Sequence, residues 1–265
     1  MKVSTRQRIG FGLVAFAALT TSWAFTQQLP YVIVEPGKAF NVLGEENGVE
    51  VITVSGSEGF ENPGSLDLLT ISVFGSPTET PKFVDLVPAF FATDRSIMPL
   101  DVFYPTNLSE AETERRNQLD FDHAQSVAIA AAKKVLPKDV ADRLEVKLNL
   151  QSVSGPSGGL MFALGIIDKA TPESLTGGKN VAGTGTISAD GSVGPIGGID
   201  FKMISAARAG DRYFLAPRDN CDDVVGHVPA DLNVFAVSNI REAMNVLKVI
   251  SADGDIAKLP VCSAK

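Results

Sequence analysis

Gly155-Pro156-Ser157-Gly158-Gly159 is the stretch around which the rest of the chain is organised. Before it, Leu144-Glu145-Val146-Lys147-Leu148-Asn149-Leu150 alternates with period two, as a strand does. After it, Gly159 to Asp168 is an apolar run with helical spacing, which puts Ser157 at a strand-to-helix turn. Unpaired backbone N–H groups and the helix dipole favour negative charge at a helix N-terminus, and the tetrahedral intermediate of acyl transfer develops such charge. The same five residues also suit a plain turn, because Gly/Pro/Ser clusters commonly form one. What lies downstream decides between the two.

The chain has 265 residues, 45% of them apolar, enough to bury a substantial core. Its net charge of −8 argues against a basic nucleic-acid-binding face, so no nucleic-acid partner is expected. The only histidines are His123 and His227, and the only cysteines Cys221 and Cys262. That scarcity limits the metal chemistry open to the chain, and neither a metal nor a cofactor is expected. No Gly-x4-Gly-Lys-Ser/Thr loop is present, so no ATPase is expected in this chain.

Lys2, Arg6 and Arg8 precede an apolar stretch from Ile9 to Phe25, and no acidic residue appears before Glu35. The pattern predicts a single-pass cell-membrane protein: a cytoplasmic segment over 1–8, a transmembrane signal-anchor over 9–29, and an extracytoplasmic domain over 30–265. Ser22-Trp23-Ala24 also offers the small residues of a cleaved signal peptide. In an oxidising compartment the even pair of cysteines predicts a disulfide, Cys221–Cys262, tying the C-terminal tail to the body.

Along the exported part, strands are expected over 31–35, broken by Pro36-Gly37, and over 49–54 and 66–74. A short helix follows over 82–91. Ser109 with Glu112 matches a capping box, opening a helix towards Leu136 whose buried face carries Ala124, Val127, Ala128, Ala131 and Val135. Ala189-Asp190-Gly191 signals a hairpin between 181–187 and 192–196. Asp200 is placed to cap a helix over 201–209 that Gly210 ends. Strands over 213–216 and 232–237 precede a last helix, capped by Asn239 with Glu242 and reaching Ile250. Strands dominate the first half and alternate with helices in the second, an α+β pattern.

A serine hydroxyl is a poor nucleophile until a base takes its proton. Gly155-x-Ser157-x-Gly159 formally fits the nucleophile elbow of α/β-hydrolases, with Asp222, Asp223 and His227 downstream. That acid lies unusually close to the histidine, and no His-Gly-Gly motif precedes Ser157. Lys202 is the better partner. On its helix it shares a face with the small residues Ser205, Ala206 and Ala209, so it packs closely and loses water. Desolvation lowers a lysine pKa, and bringing it from about 10.4 towards 7 takes roughly 4–5 kcal/mol.

Three motifs occur in order: Gly155-Pro156-Ser157-Gly158-Gly159, Ala182-Gly183-Thr184-Gly185-Thr186-Ile187, and Gly194-Pro195-Ile196-Gly197-Gly198-Ile199-Asp200-Phe201-Lys202. Together they resemble the proteolytic domain of Lon proteases. The resemblance implies a Lon-like α+β fold and a Ser–Lys dyad of Ser157 and Lys202, with Thr184 contacting the lysine. It implies hydrolysis of polypeptide substrates by a serine endopeptidase, and a ring of subunits; with the domain placed outside the cytoplasm, the substrates expected are exported or membrane proteins. The chain is similar in particular to the membrane-anchored PDZ-Lon proteins of Gram-positive bacteria, through Pro30-Tyr31-Val32-Ile33-Val34-Glu35-Pro36-Gly37, Gly64-Ser65-Leu66-Asp67-Leu68-Leu69-Thr70 and the helix around Gln125-Ser126. It departs from them in two respects. Too few residues separate Leu136 from Leu144 to hold a PDZ module, and Ser154 and Thr186 stand where Lon proteases carry acids. The latter departure keeps open a second reading, a catalytically inactive Lon-fold binding or scaffold protein.

Overall fold

In the computed structural model, which describes residues 5–105, 108–150 and 153–263, the alternating and helical patterns become elements as follows. The first part of the chain holds helix α1 (Thr5–Phe25), strands β1 (Tyr31–Asn41), β2 (Glu45–Glu46), β3 (Val49–Glu50), β4 (Ile52–Ser55) and β5 (Ser65–Phe74), helix α2 (Phe83–Phe91) and strand β6 (Ser96–Pro99). Helices α3 (Glu110–Val135) and α4 (Lys138–Ala141), strand β7 (Glu145–Leu148) and helix α5 (Gly159–Ala170) come next. Strands β8 (Asn180–Gly183), β9 (Thr186–Ile187) and β10 (Val193–Gly194) lead to helix α6 (Ile199–Ala209). Strand β11 (Tyr213–Pro217), helix α7 (Cys221–Val224), strand β12 (Asn233–Val237) and helix α8 (Ile240–Ser251) complete the series. The chain divides into two compact units, Met1–Glu35 with Val73–Thr113, and Pro36–Ser72 with Glu114–Lys265.

The larger unit is built on parallel strands in the order β12-β11-β8-β5, with Leu66 opposite Val181 and Leu215 opposite both Gly183 and Phe235. Successive side chains of a strand point to opposite faces. Leu66, Leu68, Val181, Leu215 and Phe235 accordingly join one core cluster with α5 and α8. Leu69, Ala182, Phe214, Ala216 and Val234 join another with Ile199, Met203 and Ala206 of α6. Helix α5 is buried at every position, and it is apolar on all sides as far as Ile167. The two charges that follow are buried with partners, Asp168 Oδ2 accepting from the Leu175 N–H at 2.7 Å and Lys169 Nζ lying 3.5 Å from Glu50 Oε1. The result is mixed α+β architecture, helices covering both faces of a sheet.

Several local expectations need correction. Strand β1 runs on through Pro36-Gly37, where a break was expected. Thr70 explains this: its hydroxyl accepts from the Lys38 N–H at 2.9 Å and donates to the Lys38 carbonyl at 3.1 Å, replacing ladder bonds the proline region lacks. The strand expected over 49–54 divides at Val51, and its second part, β4, pairs antiparallel with β7. Asp200 does not cap α6. Gly198 takes the N-cap in the left-handed conformation (φ 67°), which costs glycine nothing, and Asp200 sits in the first turn. The Asn239 cap forms as expected, its Oδ1 accepting from the Glu242 N–H at 3.0 Å.

In the smaller unit the start of β1 pairs antiparallel with β6, Tyr31 opposite Pro99 and Val34 opposite Ser96. Ile33, Leu86 and Ala89 form its core, with Leu29 and Ile97 packed against them. The Ser109–Glu112 capping box forms at the head of α3. Lys2 lies outside the described residues. Helix α1 ends at Phe25, short of the expected boundary at 29, and Gln28 is bridged to Lys82. Pro30 biases Leu29 to extended backbone, and the Leu29 N–H goes to the Pro81 carbonyl at 3.0 Å. Among the described residues no helix is long and apolar enough to cross a membrane, so the transmembrane helix expected over 9–29 is not supported.

Candidate active site

The chain enters the site through Gly155, in a positive-φ conformation (83°), and a single 3-10 turn, Pro156–Gly158, that runs into α5. Close packing fixes this turn. A Cβ on Gly158 would collide with Leu68 Cδ1, and one on Gly159 would lie 2.9 Å from Ile187 Cγ2. Backbone bonds fix it further: the Ser157 carbonyl accepts from the Gly185 N–H at 2.9 Å, and the Leu160 N–H donates to the Gly185 carbonyl at 3.1 Å. Ser157 is thereby held half-buried with its hydroxyl free to meet a partner.

That partner is Lys202, whose Nζ lies 2.7 Å from Ser157 Oγ and 3.1 Å from Thr184 Oγ1. Thr184 follows β8 and, like Ala182 two residues before it, points to the α6 side of the sheet. Its hydroxyl donates to the Ser157 carbonyl at 3.1 Å. With its proton so committed, Thr184 Oγ1 accepts from Lys202. The amine's lone pair is then left for the Ser157 O–H. Lys202 is 2% exposed and Thr184 1%. Burial alone pulls the Lys202 ammonium down to about 7, so a large neutral fraction exists near neutral pH.

All three residues singled out from sequence therefore meet. His227 does not join them: it is exposed, and its Nδ1 bonds the Asp223 carbonyl at 3.0 Å. Ser154 is exposed and Thr186 half-buried. Among the described residues no group of three or more His, Cys, Asp or Glu comes together to hold a metal. Cys221 and Cys262 form the expected disulfide. Sequence reading gave no role to Gly185, which locks the serine carbonyl, and did not single out the carboxyl groups of half-buried Asp67 and buried Asp211. The one available signal was a charge inside an apolar strand, Leu66-Asp67-Leu68-Leu69.

Residues 126–251, which include all three site residues, match the model of the Lon protease (S16) C-terminal proteolytic domain. The Lon protease of Ureaplasma parvum is 26% identical over 175 residues, 60% of this chain and 22% of that protein. The Lon protease of Campylobacter concisus is 33% identical over 119 residues, 42% of this chain and 14% of its own length. The archaeal Lon protease of Archaeoglobus fulgidus is 27% identical over 169 residues, 60% and 26% of the two chains. The chain thus spans about a quarter or less of the relatives it matches. The match takes in a little under half of this chain, and over that stretch the chain is similar to the Lon C-terminal proteolytic domain.

Proposed function

We propose that the protein is a serine endopeptidase in which Ser157 attacks the scissile carbonyl and neutral Lys202 takes the hydroxyl proton. The contact between Lys202 Nζ and Ser157 Oγ, with the amine buried, is the observation that carries this reading. The lysinium then returns its proton to the leaving amine, and the same lysine activates the water that hydrolyses the acyl-enzyme. Thr184 orients the amine. The Ser157 N–H serves the oxyanion; Pro156 has no N–H to offer.

The substrates we infer are loose polypeptide segments of exported or membrane proteins. The Cys221–Cys262 bridge supports a location outside the cytoplasm, where disulfides persist. We also read the chain as akin to the PDZ-Lon proteins without their PDZ module: only α4 lies between α3 and β7, where that module would fall. Labelling by an active-site serine probe, backed by casein hydrolysis, tests the reading on wild type, Ser157→Ala and Lys202→Ala. Activity that needs both side chains is expected. A well-folded wild type that neither labels nor cleaves would favour the non-catalytic scaffold, the reading that Ser154 and Thr186 suggest.

A further inference from the structure

Ile196 lies in the turn Gly194-Pro195-Ile196-Gly197-Gly198, which leads directly into α6. Both of its backbone groups are taken by one side chain. Asn220 Oδ1 accepts from the Ile196 N–H at 2.9 Å, and Asn220 Nδ2 donates to the Ile196 carbonyl at 2.9 Å. A primary amide is the side chain that can both accept and donate in this way, imitating a rung of β-ladder. Nδ2 also donates to Asp223 Oδ2 at 3.1 Å, which orients the amide. Asn220 is 3% exposed, so an unmatched amide there would be costly and the pairing is firm.

The clamp acts two residues before Gly198, the N-cap of α6. The Gly198 carbonyl accepts from the Lys202 N–H at 3.2 Å, so Lys202 stands one helical turn beyond a backbone that Asn220 holds. Behind the clamp is the disulfide. Cys221 follows Asn220 as the first residue of α7 and is bonded to Cys262, while the Ala236 N–H of β12 donates to the Pro260 carbonyl at 2.8 Å. Ile196 and Cys262 both pack on the cluster that contains Ile199 and Met203 of α6.

We propose that Asn220 is a positioning residue for the peptidase, fixing the turn that starts α6 and hence the reach of Lys202 to Ser157, with the Cys221–Cys262 bridge securing the helical turn that carries it. This rests on the reading of Lys202 as the base. Loosening the turn admits water to a buried amine, which raises its pKa and misplaces it at once. Burial is what lowers the Lys202 pKa, so the pH profile reports on that burial.

Asn220→Asp keeps the shape and the acceptor but loses the N–H that Ile196 needs. Casein hydrolysis by the full chain, per titrated serine, is measured from pH 5.5 to 9.5 beside a melting curve. For Asn220→Asp we expect kcat to fall about tenfold with little change in KM, and the acid limb to move up by roughly half to one pH unit. A merely structural role lowers the melting temperature and leaves kcat per site and the midpoint unchanged, and that result overturns the proposal. Should Asn220→Asp fail to fold, Asn220→Ala carries the same test without adding charge. Cys221→Ala with Cys262→Ala is expected to shift the limb the same way by less; an unmoved limb there removes the disulfide from the device. A Lys202→Ala protein as active as wild type defeats the base reading itself. An inactive Lys202→Ala beside an unaltered Asn220→Asp defeats the clamp alone.

Discussion

Lys202 and Asp211 are buried almost equally, 2% and 3% exposed, and flank the same helix, one in the first half of α6 and the other just past Gly210. Loss of water disfavours the charged form of each, but the outcomes are opposite in kind. The lysine is drawn down to about 7 and meets two hydroxyls, so the neutral amine has a proton donor to work on. The aspartate is pushed up to about 8 by burial and then by the charge of Asp67, whose own carboxyl burial also raises. Both oxygens of Asp211 lack any other donor. The two acids face each other, and that contact is a hydrogen bond only while one of them holds a proton. Desolvation alone therefore does not make a catalytic group. The neighbours decide whether a buried ionisable side chain becomes a base or a stored proton.

The largest effect that tests this comparison is on chemistry. Ser157→Ala and Lys202→Ala are each expected to lower peptide hydrolysis by about a thousandfold or more. Full activity from either would remove the lysine from the catalytic side of the contrast. Next is stability. A base whose folded pKa is lowered costs stability in full below about 7, and the cost fades as pH rises towards 10.5. Replacing the amine by an apolar chain of similar length in Lys202→Met is expected to raise the melting temperature at pH 6.5, with a ceiling on the order of 4–5 kcal/mol. The gain should shrink by pH 10; a gain equal at both pH values would mean the amine is not desolvated.

For Asp211 the sign reverses. Its folded pKa lies above the unfolded one, so its contribution is whole at low pH and is lost as pH rises through about 8. Asp211→Asn keeps the pair bonded without a titrating proton, and should melt higher than wild type at pH 8.5 and nearly the same at pH 5. The reverse ordering would show that the carboxylate has a partner at high pH. A smaller change is expected from Thr184→Val, which keeps the shape and loses the hydroxyl. Its kcat should drop about tenfold while Ser157 still labels. Smallest of all, His227→Ala should leave kcat/KM within about twofold, since a solvent-facing ring bonded to the Asp223 carbonyl has no part in the reaction.

Ser157 and Lys202 were legible in the sequence from a glycine-flanked serine at a strand-to-helix turn and a lysine on a small-residue helix face, and Thr184 through the resemblance to Lon proteolytic domains that three ordered motifs carry. The helices were legible where caps and periodicity agreed, as in α3 and α8. Strand limits were less so. The fate of Pro36-Gly37 depends on Thr70, thirty-two residues away for Lys38, and no local pattern encodes that hydroxyl. Strand β6 has no alternation of its own and forms because the start of β1 pairs with it. The Asp67–Asp211 pair joins residues far apart in sequence, visible only once β5 and β11 flank β8. The apolar N-terminal stretch reads as a span by composition, but Pro30 and the Leu29–Pro81 bond end the helical run early.

The packed glycines beside the nucleophile also bear on how a new cleavage preference is to be evolved in this scaffold. Positions 158 and 159 admit no side chain without moving Leu68 or Ile187, so a library that randomises them samples mostly broken enzymes. Ser154 and Pro156, both open to solvent, are the positions beside Ser157 that can vary at low cost. Diversity spent there leaves the chemistry standing while the surface that greets the substrate changes.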